Sequence, residues 1–99
     1  MSQRVYRFEV PIDDLAHDLR LFGNPLGVAC RNPEAVEFWA VHDDNSKVEL
    51  APRRSFIVVG TGHALPANWW RHWGHAISGP IVWHLIELST HDQRSAVLP

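Results

Sequence analysis

The sequence predicts an all-β fold: a small single-domain antiparallel β-sandwich or barrel of about six or seven strands. Short segments alternate apolar and polar residues, and turn-rich stretches of Gly, Pro, Asn and Asp separate them. The apolar run Ile81–Leu88 begins after Gly79-Pro80, is nearly unbroken and carries Trp83 at its centre. Such a run is typical of a central strand. With 99 residues, we expect one domain over residues 1–90 and a loose tail over residues 91–99.

The N-terminal third begins with a half-buried strand. Arg4–Val10 alternates, with aromatic and apolar residues on one face, and Pro11 ends it because proline cannot donate to a sheet. Ile12–Phe22 fits two patterns, since its apolar residues match both a short capped helix and an alternating strand. We favour a turn at Asp13-Asp14 followed by a strand.

A hairpin is expected next, from Leu26–Cys30 to Val36–His42. The second segment alternates and is rich in β-branched and aromatic residues, which argues against the rival interpretation of a helix starting at Asn32-Pro33. If Asn32-Pro33 is the loop, Gly27 faces Phe38 across the hairpin.

The middle of the chain contains a polar loop, a strand and a second loop. His42–Pro52 is turn-rich and predicts an exposed loop. Arg53–Val59 predicts a strand that ends apolar on both faces, which indicates a central position. Gly60–His63 superficially resembles a phosphate-binding loop, but no Gly-Lys-Ser/Thr follows and Pro66 blocks the helix that such a loop requires. We therefore expect a simple glycine turn.

The last hairpin joins Trp69–Ile77 to Ile81–Leu88, and its register depends on the loop. A two-residue Gly79-Pro80 loop places His75 opposite His84, whereas a three-residue loop places His75 opposite Trp83. Because proline is awkward at the second position of the favoured hairpin turns, the sequence favours the three-residue loop.

Composition limits the function classes. Nine basic residues and a net charge of −2 argue against a nucleic-acid surface that works by bulk charge. The single cysteine, Cys30, cannot form an internal disulfide and lies in an apolar strand, where a buried thiol is inert. The N-terminus does not resemble a signal peptide, and no apolar run approaches the roughly 20 residues of a membrane helix. We expect a cytoplasmic protein without membrane association.

The compositional anomaly is the segment Trp69–His75, W-W-R-H-W-G-H. Tryptophan and arginine are typical anchors of protein interfaces, although tryptophans at alternate positions also serve to bury area at the end of a small barrel. We predict a non-enzymatic domain that binds a protein partner or a second copy of itself. The predicted binding residues are Trp69, Trp70, Arg71, His72, Trp73 and His75.

A second hypothesis uses the histidines. His63, His72, His75 and His84 carry the side chain that zinc prefers, and Asp43 or Asp44 could complete a site. However, the sequence has no H-x-E-x-H or C-x-x-C spacing, and no nucleophile, base and orienting residue form a defensible catalytic set. We expect no cofactor and no metal, and keep small-ligand or metal binding by the His/Trp cluster as the alternative function.

Four segments together resemble a known family: Tyr6–Asp14, Val28–Ala40, Arg53–Pro66 and Ile81–Glu87. They are similar, in the same order, to a small family of proteins of unknown function found in actinobacteria and their phages. The resemblance covers most of residues 5–88. It implies a single-domain, cytoplasmic, phage-encoded protein without an established activity, and it transfers no catalytic residue.

Overall fold

The computed structural model describes residues 2–89 and confirms the all-β class. Within these residues, seven strands form two antiparallel sheets that pack face to face as a sandwich. A single 3₁₀ turn, Val48–Leu50, lies in the predicted polar loop. No helix in the described part of the chain is long and apolar enough to cross a bilayer. The predicted loose tail lies outside the described residues. The strands are β1 (Gln3–Pro11), β2 (His17–Arg20), β3 (Gly27–Asn32), β4 (Ala35–Asp43), β5 (Arg53–Gly60), β6 (Trp69–Ser78) and β7 (Ile81–Leu88).

The strand order agrees with the hydrophobic patterns. One sheet has the order β1-β4-β3 and the other has the order β2-β5-β7-β6. β7 therefore lies between β5 and β6, as its unbroken apolar run predicts, and β5 lies between β2 and β7. β6 is an edge strand, so one side of its backbone has no partner strand among the described residues.

The core lies between the two sheets. Phe38 of β4 is fully buried, with ring centroids 5.2 Å from Phe8 and 5.3 Å from Phe56. Such aromatic contacts bury large areas at low conformational cost. The buried core residues are Val10, Leu21, Val36, Phe38, Ala40, Phe56, Val58 and Leu85.

The first turns show how local polar groups shape the chain. The turn at Asp13-Asp14 is confirmed: Asp14 adopts a positive φ of 62°, and the Leu15 amide donates to the Asp13 carboxylate at 3.0 Å. The short strand β2 follows, as expected.

The predicted register of the β3–β4 hairpin is wrong by one residue. Phe38 faces Val28, not Gly27, because the strands close at Asn32 and Ala35 and a bulge lies between Ala29 and Asn32. The Asn32 side chain accepts a hydrogen bond from the Glu34 amide at 2.9 Å, which holds the turn one residue further along than expected. A bulge adds one residue to a strand but changes the apolar pattern of the sequence too little for the pattern to predict the bulge.

The expected register of the β6–β7 hairpin is also wrong. Ser78 pairs with Ile81, so Gly79-Pro80 is a two-residue loop and His75 lies directly opposite His84. Gly79 has a φ of 60°, and proline then supplies the negative φ that the second position of a type II′ turn needs. Proline is thus compatible with this turn when glycine precedes it.

Candidate functional site

Two exposed side chains at the start of β6, Trp70 and Arg71, form a surface that we call the tryptophan patch. Trp69 is 44% exposed and Trp70 is 40% exposed. The Arg71 guanidinium carbon lies 5.6 Å from the Trp70 ring centroid, within the range of a cation–π contact. Trp69 pairs with Leu88 and Arg71 pairs with Glu87, so Trp69 faces the opposite side of the sheet from Arg71, and Trp70 is the extra residue of the bulge between them.

Trp73 has a different role from its two neighbours. It is partly buried against the core, and its indole N–H donates to the Glu87 carboxylate at 2.8 Å. Its ring lies 4.7 Å from the Arg71 guanidinium and so supports the tryptophan patch from beneath. Of the three clustered tryptophans, two are exposed and one anchors the patch to the core.

Sequence reasoning missed the buried ion pair beneath this anchor. Glu87 is fully buried, and its carboxylate accepts hydrogen bonds from Arg54 Nε at 2.9 Å and Nη2 at 2.8 Å. Arg54 also donates to the Gly23 carbonyl at 2.9 Å and to the Asn24 side chain at 3.1 Å. One signal could have revealed the pair, namely a carboxylate inside the apolar run of β7, which requires a buried partner.

A second concave surface lies on the outer face of the four-stranded sheet. β5 and β6 both run antiparallel to β7 and flank it, so residues 61–68 must return along the sheet to connect them. This crossover loop and the sheet enclose a groove of about 300 Å³, which we call the histidine groove. Its lining residues are Val59, Gly60, Thr61, Gly62, His63, Leu65, Trp69, His72, His84 and Ile86.

His84 is the centre of the histidine groove. Its Nδ1 lies 3.0 Å from His72 Nε2, and its Nε2 lies 2.7 Å from the Thr61 hydroxyl. The ring of His75, its cross-strand partner, lies 6.0 Å away between centroids. Each hydrogen bond requires one donor and one acceptor, so a neutral His84 donates at one nitrogen and accepts at the other. The chain of contacts ties the crossover loop to the sheet.

The environment lowers the pKa of His84. Burial is the main cause, and the positive charges that His72 and His75 acquire on protonation add to it. The neutral imidazole is therefore the form that the folded protein favours.

The structure separates the predicted binding residues into two groups. Trp70 and Arg71 form the patch with Trp73 beneath them, whereas Trp69 and His72 line the histidine groove and His75 lies beside His84. His63 joins the groove, whereas Asp44 lies elsewhere, paired with Arg4 at 2.8 Å. Within residues 2–89, no group of three or more His, Cys, Asp or Glu side chains has the geometry to hold a metal ion.

The His84 environment predicts a pH-dependent stability. The folded-state pKa of His84 lies below its unfolded value, so the neutral imidazole contributes to the free energy of unfolding. This contribution is fully present above about pH 6.5 and is lost as the pH falls through the folded pKa. We expect the Tm of the protein to fall by a few degrees between about pH 7.5 and pH 5.5, and the fall to be smaller in His84→Gln. Thermal unfolding followed by circular dichroism measures both values.

The matched control for this prediction is His17→Gln. His17 lies on β2 beside Asp13, outside the histidine groove, and removing it leaves the His84 cluster intact. Equal acid sensitivity of His84→Gln and the unmodified protein would contradict the assignment to His84.

The fold defines a small two-sheet antiparallel β-sandwich, with an exposed aromatic surface on one edge and a histidine groove on one face. The chain belongs to the DUF7352 family, a domain of unknown function, whose family model matches residues 1–96. The expected membership of a family of unknown function is thereby confirmed. No curated protein and no solved structure matches the chain.

Proposed function

We propose that this chain is a non-enzymatic binding domain that recognises another protein through the tryptophan patch. The observation that carries the proposal is the exposure of Trp70 beside Arg71 on β6, a strand that has no partner on one side among residues 2–89. The Trp70 indole, 40% exposed, leaves apolar area in water, which favours covering it with a partner.

The chemistry of the patch suits a protein partner better than a nucleic acid. Tryptophan and arginine are the residues that most often dominate interface energetics, and Arg71 stacked between two indole rings is held in place before binding. The overall charge of −2 provides little attraction for a phosphate backbone.

The absence of catalysis is part of the proposal. It is supported by the position of the only thiol, since the Cys30 Sγ donates to the backbone carbonyls of Asn32 at 3.3 Å and Ala35 at 3.6 Å. Both acceptors are backbone carbonyls, which cannot take up the thiol proton as a general base does.

The proposal extends to origin and location. The family resemblance of the four segments described above supports a phage-encoded protein of actinobacteria that acts in the host cytoplasm or associates with the virion. Its partner is then a host or phage protein.

We expect Trp70→Ala to weaken partner binding about 30-fold or more, the effect typical of an interface hot spot. A photocrosslinking phenylalanine analogue in place of the exposed Ala67, close to the patch but outside it, first captures the partner in a lysate of infected host cells. The purified partner is then titrated by calorimetry with the unmodified protein, Trp70→Ala and Arg71→Ala.

The matched control is Ile77→Ala, because Ile77 lies on the same strand, is 67% exposed and is distant from the patch. It should bind the partner as the unmodified protein does. Equal affinities for Trp70→Ala and Ile77→Ala would refute the assignment. A concentration-dependent dimer that Trp70→Ala dissociates would instead identify the partner as a second copy.

A further inference from the structure

The histidine groove combines features that the tryptophan patch does not use. Its floor is apolar, formed by Val59 and Ile86, and Trp69 and Leu65 contribute further apolar surface. A cleft of about 300 Å³ lies at the small end of the range for ligand sites and can receive a flat molecule of one or two fused rings. An indole in the lining offers such a molecule a surface for stacking.

The polar groups of the groove select the charge of its ligand. Imidazoles of His63, His72 and His84 line it, and His75 lies opposite His84 in the sheet. Neither a carboxylate nor a guanidinium is among the lining residues, and β5 contributes Val59 and Gly60 without a titratable side chain. Any charge that the groove acquires is therefore positive, and it arises on imidazoles that lie close together.

We propose that the histidine groove binds a small planar aromatic molecule with one negative charge, and that binding takes up a proton. The apolar floor and Trp69 contact the rings, and a protonated imidazole of the His72–His84 pair meets the anionic group. This site is separate from the protein-binding surface at Trp70 and Arg71.

Proton uptake follows from the arrangement of the histidines. Without a bound anion, a proton added to His84 places a positive charge in a partly buried position, which is unfavourable. His72 and His75 lie beside His84 and can become positive themselves, which adds to the cost. A bound anion reverses this balance because it stabilises the protonated form. Affinity must then rise as the pH falls, by up to about tenfold per pH unit for one proton taken up.

The experiment uses 2-naphthoate as the probe and 2-naphthamide as its uncharged match. We expect 2-naphthoate to bind with a Kd of about 0.1–1 mM near pH 6 and at least about tenfold more weakly near pH 8. Calorimetry in two buffers of different ionisation enthalpy should show net proton uptake. Amide chemical shifts should change at Thr61, His63, Leu65 and His84, and 2-naphthamide should bind more weakly near pH 6.

Two variants test the role of the imidazole. The double variant His72→Gln with His84→Gln keeps a side chain that can bond the Thr61 hydroxyl but has neither imidazole of the pair, so it should lose most of the pH dependence and about tenfold in affinity near pH 6. His17→Gln, outside the groove, should behave as the unmodified protein. A well-dispersed amide spectrum of each variant establishes that it is folded.

Several results would overturn the proposal. These are equal binding of 2-naphthamide, pH-independent binding, or no binding of 2-naphthoate at millimolar concentration. A second groove is lined by Tyr6, Phe8, Arg20 and His42 among others. Amide chemical-shift changes confined to that groove would indicate that the anion binds a permanent arginine charge instead. Stoichiometric zinc binding together with failure of 2-naphthoate would make the histidines a metal site. The Trp70→Ala titration is independent of all these results.

Discussion

Replacing Glu87 by alanine is expected to lower the free energy of unfolding by about 3–5 kcal/mol. The Glu87 carboxylate is fully buried and accepts hydrogen bonds from Arg54 and from the Trp73 indole. Its removal leaves a guanidinium that is only 9% exposed without a counter-charge and an indole N–H without its acceptor. Urea unfolding followed by tryptophan fluorescence measures the loss.

The control and a second variant keep this prediction testable even if Glu87→Ala fails to fold. Glu34→Ala removes an exposed carboxylate in the β3–β4 turn and should change stability by no more than about 0.5 kcal/mol. The double variant Arg54→Met with Glu87→Leu removes both charges and should be much more stable than Glu87→Ala alone. A loss below about 1 kcal/mol for Glu87→Ala would show that the buried pair contributes little to the free energy of unfolding.

Gly23→Ala is expected to destabilise the protein by about 2–3 kcal/mol, although it adds a single methyl group. A Cβ at this position would lie 2.5 Å from the Val41 carbonyl oxygen and 3.1 Å from the Val41 nitrogen. These are backbone atoms of β4, which pairs with β1 through Val41 and Val5, so they cannot move as a side chain could. Displacing the turn instead would stretch the hydrogen bond from Arg54 to the Gly23 carbonyl.

Gly27→Ala is the matched control for Gly23→Ala. A Cβ at Gly27 meets nothing within 4 Å, so alanine there should be neutral or slightly stabilising through the unfolded chain. Denaturant unfolding of both variants gives the comparison. Equal stability of the two variants would mean that the Gly23 turn yields easily, contrary to the expected clash.

Local patterns predicted most of the strands because burial imposes a period of two on the sequence. The alternating segments of β1 and β4, the apolar-ended segment of β5 and the apolar run of β7 all lie where the patterns place them. The ambiguity over Ile12–Phe22 was also resolved correctly, since Asp13 and Asp14 form the turn that precedes β2. These features depend on neighbours in the sequence and on one buried face.

The registers of both hairpins were mispredicted for local reasons that the apolar period does not report. In the β3–β4 hairpin, the Asn32 side chain and a bulge move the pairing by one residue. In the β6–β7 hairpin, Gly79 and Pro80 form a two-residue turn and align His75 with His84. A single residue in a turn thus decides which side chains meet several residues away.

The sequence by itself determined the all-β class, the central position of β7 and the concentration of tryptophan and histidine in one segment. Only the tertiary structure decided that Trp73 anchors in the core while Trp69 and Trp70 remain exposed. It also decided that Glu87 finds Arg54, and that the crossover loop closes a groove over His84. The physical reason is that these contacts join groups far apart in the chain, through bulges and a crossover whose path depends on how the two sheets pack.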